Sequence, residues 1–259
     1  MVKELTIVKI GGNVINDPDQ LISFLRDFSD LEGMKILVHG GGKKATEIAD
    51  AMGLSPKLTG GRRITDAANL DVVTMVYAGL LNKNIVADLH SFDCNALGLS
   101  GADANVIRAH KRIVKEIDYG FAGDIDEVDA KMITTFLNAG LSPVFSAITH
   151  DKKGQLLNTN ADTIAAELAK AMSGEFKVDL IYCFERAGVL KDVEKDDSII
   201  EEIDRETYAG LVENGIIADG MLPKMKNCYE ALEQGVDKVR IGKPELIRDK
   251  EIRHTTLKL

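Results

Sequence analysis

Lys9 sits in TIVKIGGNVI, residues 6–15, where an apolar strand pattern runs straight into Gly11 and Gly12. An ammonium group next to the last turn of a buried strand costs desolvation, unless an anion compensates it or the side chain snorkels to the surface. Glycines at the carboxyl end of a strand, opening a helix, offer an anion bare N–H groups and a favourable dipole. Tight strand-to-helix turns also use glycine for steric reasons alone, so one pair does not decide. A second turn of the same grammar, KILVH followed by Gly40, Gly41 and Gly42, moves the balance towards an anion site. HGGGKK has neither the G-x-x-x-x-G-K-[ST] spacing of a P-loop nor the G-x-G-x-x-G of a dinucleotide fold, and both readings are disfavoured.

Three more segments carry chemistry-bearing groups. NTNAD, within 157–162, places Asn158, Asn160 and Asp162 at alternate positions. In an extended segment all three point to one face; for Asp162 alone, N-capping of the following helix is the plainer role. GRRIT, 61–65, sets Arg62 and Arg63 side by side, and guanidinium suits bidentate capture of a carboxylate, although surface exposure explains such a pair equally well. In DGMLPKMKN, 219–227, Lys224 follows Pro223 beside a helix start, and by itself it reads as a surface lysine.

The elements that must hold these groups alternate. After the first glycine turn, Asp17, Pro18 and Gln20 announce a helix with an N-cap, a first-turn proline and a capping-box partner. Leu21, Phe24, Leu25 and Phe28 then recur at helical spacing. The second turn leads into a helix carrying Ala45, Ile48, Ala49 and Met52, with Gly53 as its C-terminal stop. Strand, turn and helix in succession predict parallel pairing with right-handed crossovers. Further strands are predicted at 143–148, 179–184 and 238–241, and a β-hairpin excursion within 105–125. One long helix is predicted over 66–89, capped by Thr65, with Leu70, Val73, Tyr77, Leu81 and Ile85 in one stripe; it suits a subunit interface or a core helix. The acidic stretch 190–204 reads as a solvated loop leading into a helix. The fold class expected is α/β, a three-layer αβα sandwich around an open, mainly parallel sheet.

Composition narrows the function. The 259 residues are 45% hydrophobic and 28% charged, a mix that buries a sizeable core. A net charge of −9 disfavours a nucleic-acid partner, which wants a basic face. Cys94, Cys183 and Cys228 are far apart and in no metal spacing, so reduced thiols and no zinc site are expected. Neither a membrane-length apolar run nor a targeting signal is visible, so a cytoplasmic protein with no membrane partner is expected.

KIGG, HGGG, GRRIT, NTNAD and GMLPK, in this order and near these separations, resemble the amino acid kinase family, and within it the branch that phosphorylates N-acylated glutamate. The match spans nearly the whole chain. The resemblance implies an acyl-amino-acid-binding and dimerisation lobe at 1–172 and a nucleotide-binding lobe at 173–259. It implies ATP as phosphoryl donor, with Mg²⁺ held mainly by the ATP phosphates and no protein metal site. By the same resemblance the phosphoryl-stabilising lysines fall on Lys9 and Lys224, and the aspartate that organises them on Asp162. Substrate contacts fall on Gly41, Gly42, Arg63 and Asn158, with Asn160 nearby. Gly11 and Gly12 meet the transferring phosphate. Nucleotide contacts fall around Glu185, Gly188, Leu190, Ile216 and Ala218.

Two departures stand out. Glu185, in FERAG, occupies the place of the family's aspartate, and Arg62 occupies a place that is usually apolar. An Arg62 facing the acyl pocket would pair with a second carboxylate, as an N-succinyl group supplies. Arginine-inhibited members carry a helix ahead of the first strand. Here the strand begins almost at Met1, so an arginine-insensitive homodimer built on the 66–89 helix is expected. The alternatives are another phosphotransferase of the same family, or an inactive amino-acid sensor, which would need neither Lys9 nor Lys224.

Overall fold

The computed structural model describes residues 3–59, 62–192, 194–218 and 221–259. Strand β1 (Lys3–Ile10) sets the pattern for the rest. Alternate strand side chains point to opposite faces, so Leu5 and Ile7 join one apolar cluster while Val8 and Ile10 join another. Burial on both faces is what makes such a strand read as a continuous apolar run. Lys9 shares the face of Leu5 and Ile7, and that placement decides what it meets.

The chain continues through α1 (Gly12–Asn16), α2 (Pro18–Asp30), β2 (Met34–His39) and α3 (Gly42–Ala51) to a hairpin of β3 (Lys57–Thr59) and β4 (Arg62–Ile64). Next come α4 (Ala67–Thr74), a π-helical turn (Met75–Leu81), α5 (Asn82–Ser91), β5 (Ala96–Leu99), β6 (Ile107–Lys111) and β7 (Gly123–Val128). Then follow α6 (Ala130–Asn138), β8 (Ser142–Phe145), β9 (Ile148–His150), β10 (Leu156–Asn158), α7 (Ala161–Met172) and β11 (Phe176–Cys183). The last elements are β12 (Glu202–Ile203), α8 (Arg205–Glu213), α9 (Met221–Glu233), β13 (Lys238–Gly242) and β14 (Thr255–Leu257).

Eight strands form the main sheet in the order β12-β14-β13-β11-β1-β2-β8-β5. Among the described residues only the β13–β14 pair of this sheet is antiparallel. Ile164 and Leu168 of α7 and Cys228 and Leu232 of α9 pack in the cluster on one face; Phe24 and Leu25 of α2 and Ile85 and Leu89 of α5 pack in the cluster on the other. The result is the expected three-layer αβα sandwich. A separate four-stranded sheet, β10-β9-β6-β7, carries the predicted hairpin as an antiparallel β6–β7 pair.

Local differences have identifiable causes. The strand expected at 143–148 is two strands in two sheets. After Phe145 the chain leaves the main sheet, and Ile148–His150 pairs instead with Leu156–Asn158. The predicted helix over 66–89 is interrupted by the π-helical turn, and its cap is Asp66, whose carboxylate accepts from the Asn69 N–H at 2.8 Å. Thr65 is unavailable as a cap: its hydroxyl oxygen accepts from the Asn158 amide and its carbonyl accepts from Phe121. At the first glycine turn a short helix already begins at Gly12, and Asp17 then caps α2 with Pro18 inside the first turn.

Candidate active site

The parallel register brings the motifs to one edge. Ile10 lies opposite His39 on one side and opposite Cys183 on the other, so β2, β1 and β11 end at the same level. Ligands of open parallel sheets bind beyond these carboxyl ends. Two cavities meet there. One, of about 620 Å³, is lined by Lys9, Gly41, Arg63, Asn158, Asn160 and Asp162. The other, of about 790 Å³, is lined by Glu185, Gly188, Leu190, Ile216, Ala218 and Lys224. Gly11, Gly12, Gly42 and Lys43 line both, so the two glycine turns are the shared wall.

Asp162 joins the two lysines across that wall. Its Oδ1 is 2.7 Å from the Lys9 ammonium and its Oδ2 is 3.6 Å from that of Lys224. Lys9 comes close but off the hydrogen-bonding direction, leaving Oδ1 with a charge contact and no aligned hydrogen bond. Burial alone would push the Asp162 carboxyl up, yet the two ammonium groups override it and hold it below the ordinary carboxylate value. Burial pulls the Lys224 amine below its usual value; Asp162 opposes that pull and Lys9 adds to it. The Phe184 ring lies under both cations, with its centroid 3.5 Å from Lys224 Nζ and 5.9 Å from Lys9 Nζ. An aromatic face stabilises partly desolvated cations. Tyr182 completes the support by donating its hydroxyl to the Asp162 carbonyl at 3.0 Å.

Asp162 does not sit on an extended segment with Asn158 and Asn160. It occupies the first turn of α7, and the cap is Asn160, whose side-chain oxygen accepts from the Asp162 and Thr163 N–H groups at 2.8 and 3.1 Å. The three polar side chains still line one cavity, because the helix begins where β10 ends. Asn158 donates its side-chain amide to Thr65 Oγ1 at 3.0 Å.

Arg63 is buried, and its Nη2 donates to the Gly42 carbonyl at 3.0 Å and to Thr46 Oγ1 at 2.6 Å. Its Nη1 is buried with no partner among the described residues. A buried guanidinium N–H without an acceptor costs the full desolvation penalty, which an incoming carboxylate would remove. The Arg62 side chain, the Gly60–Gly61 step and the Asp219–Gly220 step lie outside the described residues. Glu185 is exposed at the rim of the second cavity, whereas Gly188 and Leu190 are buried in its wall. Ile216 is half-buried and Ala218 exposed.

The glycine turn at Gly41 has a steric reason as well as an electrostatic one. Its φ of 154° lies in the region that favours glycine, and a Cβ there would run into Leu81 and come within 2.9 Å of Tyr77 Cδ1. His39, ahead of it, is wholly buried: Nδ1 donates to the Gly40 carbonyl at 2.8 Å, and Nε2 accepts from the Asn82 amide at 3.1 Å. Burial pushes its pKa down to about 4, so the ring is neutral and structural near neutrality. Sequence reasoning did not single out Tyr182, Phe184, Thr46, Lys43 or Asn13 as site residues. Tyr182 and Phe184 read as ordinary strand residues, and only the register brings them beneath the lysines.

Among the described residues, no group of three or more His, Cys, Asp or Glu side chains could hold a metal ion, and Asp162 is engaged by two ammonium groups. No helix among the described residues is long and apolar enough to cross a membrane. The model of the amino acid kinase family matches residues 4–243. The acetylglutamate kinase of Bacteroides thetaiotaomicron is 51% identical, covering 97% of this chain and 98% of its own. That of Cytophaga hutchinsonii is 52% identical, with 94% and 92% covered. Among solved structures, smu.665 from Streptococcus mutans UA159 superposes with a TM-score of 0.77 at 23% identity, covering 98% of each chain, a likeness of fold. With a family match over most of its length and relatives above half identity, the chain belongs to the amino acid kinase family.

Proposed function

We propose that this chain is an acetylglutamate kinase, transferring the terminal phosphoryl group of ATP to the γ-carboxylate of N-acetyl-L-glutamate in amino-acid biosynthesis. The observation that carries the reading is the bridge of Asp162 between Lys9 and Lys224 at the meeting of two cavities. An inactive sensor has no use for a second, half-buried lysine facing the nucleotide side.

The acceptor occupies the cavity of Arg63, Asn158 and Asn160, with its α-carboxylate on the unpartnered Arg63 Nη1. The nucleotide occupies the cavity of Glu185, Gly188, Leu190, Ile216 and Ala218. Its phosphates run towards Gly11 and Gly12; a Mg²⁺ ion bound with the nucleotide would neutralise part of their charge, with no cluster of described side chains to hold it. The acceptor γ-carboxylate has a reference pKa of about 4.3, so it is ionised at neutral pH and needs no general base. One of its oxygens attacks the terminal phosphorus, the bond to the bridging β-phosphate oxygen breaks, and ADP leaves. The barrier is one of bringing anions together and holding spread charge, which positioning and fixed cations lower. Lys9 and Lys224 flank the moving group, Gly11, Gly12, Gly41 and Gly42 supply N–H donors, and Asp162 keeps the two lysines apart and aimed.

Acetyl is the acyl group we favour over succinyl. A second guanidinium in the acceptor cavity wall, Arg112, is already held by Asp124 through Nε and Nη2, so it does not call for another carboxylate. The division into an acceptor lobe at 1–172 and a nucleotide lobe at 173–259 follows from the same assignment of cavities. We place the enzyme in the cytoplasm, in keeping with three buried free cysteines. It works as a homodimer built on the Ala67–Ser91 segment, whose Met75 and Leu80 are exposed apolar side chains. The test is ATP consumption with hydroxylamine trapping of the acyl phosphate, run with N-acetyl-, N-succinyl- and free glutamate. Hydroxamate from N-acetylglutamate supports the reading, and its absence with every acylated substrate refutes it.

A further inference from the structure

Lys43 is a third lysine at the meeting of the two cavities, and it lines both. Its ammonium donates to Asn13 Oδ1 at 2.6 Å, spanning from the second glycine turn to the first. Its placement is electrostatically unfavourable. It stands in the first turn of α3, where the helix dipole favours negative charge and no acidic residue is present. The neighbouring Lys44 is neutralised by Glu47 at 2.9 Å, whereas no carboxylate among the described residues lies within ion-pair reach of Lys43. Asn13 is neutral and holds the ammonium without cancelling its charge.

We propose that Lys43 is a further phosphate-binding residue of this site, parked on Asn13 until the terminal phosphate of the nucleotide arrives. The inference rests on the reading of the second cavity as an ATP site. A charge whose local surroundings disfavour it, held by a neutral acceptor beside bare glycine N–H groups, fits an anion that comes and goes. A mere latch between the two glycine turns needs a donor for Asn13 and no charge, which is where the two roles separate.

Calorimetric titration of the full chain, with Mg²⁺ present, distinguishes them. The ligands are ADP and the non-hydrolysable β,γ-imido analogue of ATP, and the proteins are wild type, K43Q and K43R. Glutamine keeps an N–H donor for Asn13 and lacks the charge; arginine keeps the charge. The expected result is about tenfold weaker binding of the imido analogue by K43Q, with ADP affinity within about twofold and K43R close to wild type. The thermal midpoint of K43Q should be unchanged or higher, since a cation leaves a helix N-terminus. If wild type binds both nucleotides and K43Q matches it, or loses both ligands equally, the Lys43 assignment is overturned while the ATP site stands. If wild type binds neither nucleotide, both readings fall.

Discussion

Replacing Asp162 by asparagine keeps its shape and removes the charge that both lysines share. Coulomb's law with an effective dielectric near 20 gives gross attractions of about 6 kcal/mol at 2.7 Å and about 5 kcal/mol at 3.6 Å. Most of this is offset by desolvation, and breaking a buried pair by removing one partner costs about 3–5 kcal/mol in practice. What remains in the variant is two cations facing each other with no carboxylate between them. We expect a rise in the barrier of about 3 kcal/mol, or roughly a hundredfold in kcat, because the lysines lose their preorganised aim. The pH profile adds a signature that general destabilisation lacks. Burial already depresses the Lys224 amine and Asp162 opposes that shift. Without Asp162 the amine loses its proton at lower pH, and the alkaline limb of kcat should move in the acid direction. Steady-state kinetics across pH, with hydroxamate as the readout, checks both. Turnover within about threefold of wild type with an unmoved alkaline limb would refute the bridged-lysine mechanism.

Lys9→Ala and Lys224→Ala should each raise the barrier by roughly 3 kcal/mol, the scale for one preorganised donor, and near-normal turnover in both would remove them from the site. Arg63→Lys should raise KM for the acylated acceptor about tenfold while leaving KM for ATP unchanged, since lysine cannot reproduce a planar fork held by Gly42 and Thr46. Gly41→Ala should lower stability in urea by about 2–4 kcal/mol, because its Cβ meets Leu81 and Tyr77 at a φ of 154°. His39 gives a stability prediction with a definite sign. Its folded pKa of about 4 lies below the ordinary value of 6.5, so the unfolded chain binds the extra proton between these values. Its contribution is therefore present above pH 6.5 and lost as pH falls towards 4. That linkage amounts to about 3 kcal/mol, and His39→Gln should flatten the corresponding stretch of the urea-stability curve against pH.

Much of this protein was written in its sequence. The apolar run ending at Gly11 pointed to a buried strand, because a strand covered on both faces loses its polar alternation. Asp17 before Pro18 fixed a helix start, because capping is a local hydrogen-bond problem solved by neighbours in sequence. The glycine turns, the paired arginines and the NTNAD segment were visible as candidates for anion and polar contacts, each with a plainer structural role also open to it. Tertiary structure decided the rest. The sheet register brings Lys9 of β1 beside the end of β11 and Phe184, and the packing of α9 against α7 adds Lys224, so that two lysines far apart along the chain meet one carboxylate. The change of sheet after Phe145 and the engagement of Asp162 by two distant lysines also depend on partners that arrive from elsewhere. Local chemistry is set by residues within a few positions of one another, whereas pairing and convergence are set by which surfaces bury each other, and no short stretch of sequence contains that choice.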